Sequence, residues 1–118
     1  MTGDCPFCLI ADGKAAADEL HRDEHAVAFR DINPQAPSHI LVIPRRHIAS
    51  LARARDEDAA LLGHLQVVAA RLASQLGIAT GGYRCVINCG DDGGQTVHHL
   101  HLHVLGGRAM GWPPFPRS

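Results

Sequence analysis

The densest chemistry in this 118-residue chain lies in His98-His99-Leu100-His101-Leu102-His103-Val104-Leu105, which holds four of its nine histidines. On a strand successive side chains point to opposite faces, so His99, His101 and His103 line one face while Leu100, Leu102 and Val104 take the other. The leucines belong to a core. Three imidazoles side by side repel one another if more than one is charged, so at least one ring is neutral at pH 7. A neutral imidazole is a nucleophile or a metal ligand. One ion held by all three rings is awkward, because alternate strand residues lie roughly 6.6 Å apart. Nucleophilic catalysis therefore ranks first, against the ordinary alternative that a histidine on a strand is a solvated polar residue.

Immediately before this run stands Asp92-Gly93-Gly94-Gln95-Thr96. Adjacent glycines let backbone N–H groups approach an anion closely, although a glycine pair alone fits a flexible hairpin loop at least as well. Position favours the anion: a phosphate held at this turn would sit near the imidazole face. A third motif, Cys5-Pro6-Phe7-Cys8, could grip one tetrahedral Zn²⁺ from a single turn, but such a site needs two more ligands. A thioredoxin-like redox pair expects a strand before it, and none precedes Cys5. Two reduced thiols without a metal stay open as the third alternative.

These residues need elements to position them. Leu61, Leu65, Val68, Leu72 and Leu76 recur at spacings of four and three, which predicts a helix from Asp56, as N-cap, to Gly77 just past its end. Ala26–Arg30 and His39–Ile43 read as strands before it, and Tyr83–Cys89 and Val97–Leu105 as strands after it. The short connection from Gly90 to Thr96 makes the last two antiparallel neighbours. A strand around Glu19–Arg22 and a helical turn after Pro6 are weaker signals. The order predicts an α+β domain with an antiparallel sheet and the helix on one face. The tail Trp112-Pro113-Pro114-Phe115-Pro116 cannot continue a sheet, so it should cross a surface or reach a neighbouring subunit.

Composition narrows the functional classes. Apolar residues make up 46% of the chain and charged ones 19%, as in ordinary globular proteins, and the formal charge is −1. No basic cluster exceeds Arg45-Arg46, which argues against binding a nucleic-acid polymer. No stretch has the length of a membrane span and no secretory signal is visible, so a cytoplasmic location is the default expectation. The four cysteines are then expected reduced. Cys85 and Cys89 would in any case stand about 13 Å apart on one strand, too far for a disulfide.

His99-Leu100-His101-Leu102-His103-Val104-Leu105 matches the histidine-triad signature, in which histidine alternates with apolar residues. Its surroundings resemble the Hint branch of that superfamily: Phe29-Arg30-Asp31-Ile32-Asn33-Pro34-Gln35-Ala36-Pro37, Leu41-Val42-Ile43-Pro44, Asp92-Gly93-Gly94-Gln95-Thr96, and Gly106-Gly107-Arg108 followed by Trp112-Pro113-Pro114. The likeness runs from Cys5 to Pro114. It implies one domain over residues 1–118 with a tail from about 107, an antiparallel sheet of about five strands, one long helix and one short N-terminal helix.

The resemblance also implies an activity, hydrolysis of purine nucleoside phosphoramidates or related nucleoside monophosphate derivatives. His101 would attack the α-phosphorus and be transiently nucleotidylated, with His103 on the phosphate oxygens, His99 and His39 in support, and Thr96 near the leaving group. Phe29, Arg30, Asp31 and Ile32 would surround base and ribose, with Asp31 on the ribose hydroxyls. Asn88, Gly94 and Gln95 would lie beside the phosphate. Zinc-bearing relatives carry a Cys-x-x-Cys pair, and their other ligands match His47 and His99. The tail with Trp112 implies a homodimer. His98 stands where many relatives have an aromatic residue and, facing away from His101, is read as non-catalytic. A dinucleoside polyphosphate hydrolase and a nucleotide-sensing or scaffold protein with incidental hydrolysis are the rival functions.

Overall fold

In the computed structural model, residues 5–115 are described. A short helix α1 (Pro6–Ala11) precedes three strands, β1 (Glu19–Arg22), β2 (Ala26–Arg30) and β3 (Ser38–Pro44). The long helix α2 (Ala59–Gln75) follows, then β4 (Tyr83–Ile87) and β5 (Leu102–Gly106). The strands form one sheet in the order β1-β2-β3-β5-β4, and every neighbouring pair is antiparallel. The expected α+β fold, with five strands, one long helix and one short one, is the fold observed.

Strand alternation sorts the side chains onto two differently covered faces. Ala26, Ala28, Ile40, Val42, Leu102 and Val104 pack with Leu65, Val68, Ala69 and Leu72 of α2 in the larger core. Val27, Phe29, Leu41 and Ile43 take the opposite face, where Phe7 and Ala11 of α1 cover them. Because β2 and β3 are buried on both faces, they read as unbroken apolar runs in the sequence. Leu100 joins the larger core with Leu102 and Val104, as the alternation predicts.

β3 runs one residue further at each end than expected and β4 stops at Ile87, which leaves Cys89 off the strand; two other boundaries differ more. The long helix starts at Ala59, behind a 3₁₀ turn over Asp56–Asp58. Asp58 rather than Asp56 is the tethering carboxylate: it is buried, takes the Arg55 backbone N–H at 2.8 Å and pairs with Arg46. At the other end Gly77 has φ +78, the left-handed conformation that ends a helix at little cost when the residue is glycine. The second difference matters more. The expected strand Val97–Leu105 is a ladder only from Leu102, and the connection from β4 spans residues 88–101. Residues 97–101 have other partners: the Leu100 N–H bonds Ile48 O at 2.7 Å, and Gln95 Nε2 bonds Val97 O at 3.0 Å.

Candidate active site and metal-ligand cluster

The register Leu41↔His103 sets His103 on the face that carries Phe29 and Leu41, at the foot of a cavity of about 760 Å³. Helix α1, the segment after β2 and the glycine-rich turn form its walls. Of the expected nucleotide-binding residues, Phe29, Arg30, Asp31, Ile32, Gly94, Thr96, His101 and His103 line it, and so does His39. Asn88 and Gln95 are not among the lining residues. Their amides hold the turn: Asn88 Nδ2 donates to Gly93 O at 2.6 Å, and Gln95 Nε2 donates to Ala49 O at 2.7 Å. Gln95 Oε1 accepts the Gly90 N–H at 3.1 Å.

The turn itself is stapled rather than loose. The N–H groups of Gly94 and Gln95 bond Asp91 O and Gly90 O at 3.0 and 3.1 Å, so these two amides are spent within the turn. A Cβ on Gly93 would stand 2.4 Å from Cys89 O, and Gly94 has φ +83; both positions need glycine. What the turn offers the cavity is Gly94 and Thr96.

Hydrogen bonds fix which nitrogen of each imidazole carries the proton. His101 Nδ1 lies 2.7 Å from His99 O, and a carbonyl only accepts, so Nδ1 is the protonated nitrogen and Nε2 keeps its lone pair. His39 is the reverse case: its Nδ1 accepts the Gln35 N–H at 2.9 Å, so a neutral ring has its proton on Nε2. That proton meets His103 Nδ1 at 2.9 Å, which leaves His103 with Nε2–H as a donor. The His101 and His103 rings are 4.9 Å apart between centroids. A lone pair and a donor therefore stand side by side at the cavity floor.

Burial favours the neutral form of His103 and of His39. It pushes His103 down to about 4, with the neighbouring imidazoles adding to the effect and Asp31 opposing it. His39 is lowered by burial too, against the attraction of Asp31, whose Oδ2 is 3.4 Å from His39 Nε2.

His99 belongs to another neighbourhood. It is fully buried, and its Nε2 donates to Pro44 O at 2.9 Å, so the Nδ1 lone pair faces away from that carbonyl. Cys5 Sγ lies 3.3 Å from this nitrogen, Cys8 Sγ 3.4 Å, and His47 Nδ1 3.2 Å. These four atoms are within 4.8 Å of one another, a Cys₂His₂ donor set of the kind that encloses a tetrahedral ion. Helix α1 presents both sulfurs because Pro6 starts it and Cys5 caps it, accepting the Cys8 N–H at 3.3 Å. Burial and the adjacent Cys5 thiol raise Cys8 to about 11, a penalty on the thiolate that a bound cation would offset. The residues fit a structural zinc ion. The proposed triad face is thus divided, with His99 turned to the cysteines and His101 and His103 turned to the cavity.

Phe7 carries no reactive group and no sequence signal marked it, yet its ring packs edge-on against His99, His101 and Phe29 at 6.0, 5.1 and 5.6 Å. Only its place between the two cysteines could have pointed to it. His98 is exposed and does not line the main cavity. Beyond β5, Arg84 Nη2 holds Gly111 O at 2.7 Å, and Trp112 stays 83% exposed. Pro116, the last residue of the expected tail motif, lies outside the described residues.

Comparison with known proteins agrees with this geometry. The HIT domain family model matches residues 12–110. An uncharacterized HIT-like protein of Synechococcus elongatus is 52% identical over 114 residues, covering 97% of this chain and 99% of that protein. A HIT family hydrolase from Legionella pneumophila superposes with a TM-score of 0.93 at 47% identity, over 95% of this chain and 100% of that one. A histidine triad nucleotide-binding protein from Candida albicans is more distant, with a TM-score of 0.78 and 28% identity over 98% of this chain and 87% of its own. The chain belongs to the HIT domain family.

Proposed function

We propose that this protein is a nucleotide-binding hydrolase that cleaves purine nucleoside phosphoramidates or related nucleoside monophosphate derivatives through a nucleotidyl-histidine intermediate. One observation carries the proposal: the His101 Nδ1 proton is held on His99 O at 2.7 Å, which reserves the Nε2 lone pair for an electrophile. In the first step His101 Nε2 bonds to the α-phosphorus as the bond to the leaving amine breaks, and the amine departs with a proton taken up from solvent. Water then attacks the same phosphorus, the P–Nε2 bond breaks, the water's proton returns to solvent and the nucleoside monophosphate leaves.

His103 Nε2–H donates to the phosphate oxygens, and His39 keeps it in that tautomer through the 2.9 Å contact. Thr96 places its hydroxyl near the leaving group. Phe29, Ile32 and Leu41 give the base an apolar slot, with Asp31 for the ribose hydroxyls and Arg30 on the rim. Asn88 and Gln95 act on the phosphate through the turn they hold. Cys5, Cys8, His47 and His99 would hold zinc, which in a four-ligand protein site would supply rigidity rather than chemistry. The catalytic unit is the single domain over residues 1–118. A cytoplasmic location is part of the same reading, and no helix among the described residues is long and apolar enough to cross a membrane.

The experiment is a panel of adenosine 5′-phosphoramidate, its guanosine counterpart and a diadenosine polyphosphate, compared by kcat/KM, with acid-quenched enzyme weighed for a bound nucleoside monophosphate. Turnover of the phosphoramidates with a covalent adduct is the expected result. Preference for the dinucleotide, or binding without turnover, favours one of the rival functions.

We also propose a homodimer. β4 is an edge strand, and Trp112 and Phe115 are 83% and 65% exposed beyond β5. Light scattering that shows a monomer at micromolar concentration overturns this.

A further inference from the structure

On the α2 side of the sheet, away from the cavity, three side chains from separate elements converge. His21 comes from β1, Asp23 from the turn after it, and His64 from the second turn of α2. His21 Nε2 and His64 Nε2 approach the same oxygen, Asp23 Oδ2, at 2.6 and 2.7 Å. The three ligand atoms lie within 4.8 Å of one another. The other carboxylate oxygen, Oδ1, is fixed by the backbone N–H groups of His25 and Ala26 at 2.7 and 2.9 Å. Oδ2 is therefore aimed before anything binds, as a supporting shell of hydrogen bonds does for a ligating carboxylate.

From this geometry we propose a second divalent transition-metal site, formed by His21 Nε2, Asp23 Oδ2 and His64 Nε2, independent of the Cys5-Cys8-His47-His99 cluster. Two imidazoles and one carboxylate are a nitrogen and oxygen donor set suited to Zn²⁺, Co²⁺ or Ni²⁺. Three protein ligands leave a position for water. The side chains are 28%, 28% and 31% exposed, so an ion reaches them from solvent without unfolding. His64 also borders a cavity of about 640 Å³, which it shares with Glu24, His25 and Arg45.

Asp23 stays ionised. Burial opposes its ionisation, but hydrogen bonds from His21, His25 N–H, His64 and Ala26 N–H hold it far below the usual carboxylate range. On metal entry the two N–H···O contacts give way to metal bonds. Each neutral ring then carries its proton on Nδ1, and a charged ring first releases a proton to solvent. The ion would tie β1 and its turn to α2. Without it the same residues form a hydrogen-bonded pin, and the two situations differ in a countable way.

The test is equilibrium dialysis of the full chain against micromolar Zn²⁺, followed by elemental analysis, for wild type, His64→Gln and Asp23→Asn. Wild type should hold one ion per chain more than either variant, whatever the occupancy of the cysteine cluster. Equal stoichiometry in all three overturns the site. Because a variant could fold poorly, zinc titration of wild type followed by NMR of the histidine rings gives a second measure. The His21 and His64 Nε2 signals should both shift as Zn²⁺ is added; signals that stay in place overturn the proposal as well.

Discussion

His99 and His101 are two residues apart, yet the structure gives them opposite proton arrangements and different neighbours. His99 donates its Nε2 proton to Pro44 O and turns Nδ1 toward two sulfurs and His47. His101 donates its Nδ1 proton to His99 O and turns Nε2 toward the cavity. Residue type is identical, so the difference comes from which backbone carbonyl each ring meets. A carbonyl consumes one N–H and thereby selects the nitrogen that remains basic. One histidine is prepared for a metal and the other for an electrophile.

That contrast is sharpest at His101. If its Nε2 is the nucleophile, His101→Ala should reduce kcat/KM by about a thousandfold or more, about 4 kcal/mol at 1.36 kcal/mol per decade, while nucleotide binding stays measurable by calorimetry. Activity within about tenfold of wild type would remove the catalytic half of the comparison.

A smaller and different effect belongs to the His99 side. Cys5→Ser should lower Zn²⁺ affinity by at least about a hundredfold and lower Tm, with kcat changed by less than about tenfold in the zinc-loaded state. The two measurements separate the roles. A collapse of kcat with zinc retained would show that Cys5 acts on the chemistry directly.

The smallest effect is in pH dependence. His103 is held near 4 in the fold, against an ordinary value of 6.5, because burial disfavours its charged form. The unfolded chain therefore binds more protons between those values, so its share of stability is complete above about 6.5 and is lost as pH falls toward 4. His103→Asn should unfold with a shallower acid slope across that window in chemical denaturation. An unchanged slope would mean that His103 is not held neutral by the fold.

Much of this arrangement was legible in the sequence, and the reasons are local. Period-two alternation put Leu100, Leu102 and Val104 in the core, and α2 announced itself through leucines at helical spacing. The motif resemblance brought together His101, His103, Thr96, Phe29 and Asp31, which share one cavity. Alternation was less informative for His99, because residues 97–101 leave the ladder and the Leu100 N–H bonds Ile48 O instead of a strand neighbour. For Phe7 the place between two cysteines was the one available pointer, and it does not reveal which rings the side chain meets.

By itself, then, the sequence determined the element order, the two apolar faces and the set of reactive residue types, all of which follow from side-chain periodicity and composition along the chain. Only the tertiary structure decided the direction of each imidazole, the bonds by which Gln95 and Asn88 hold the turn, and the meeting of His21, Asp23 and His64 across β1 and α2. Those choices depend on partners distant in sequence, such as Pro44 O for His99 and Ala49 O for Gln95, and long-range partners leave no period to read.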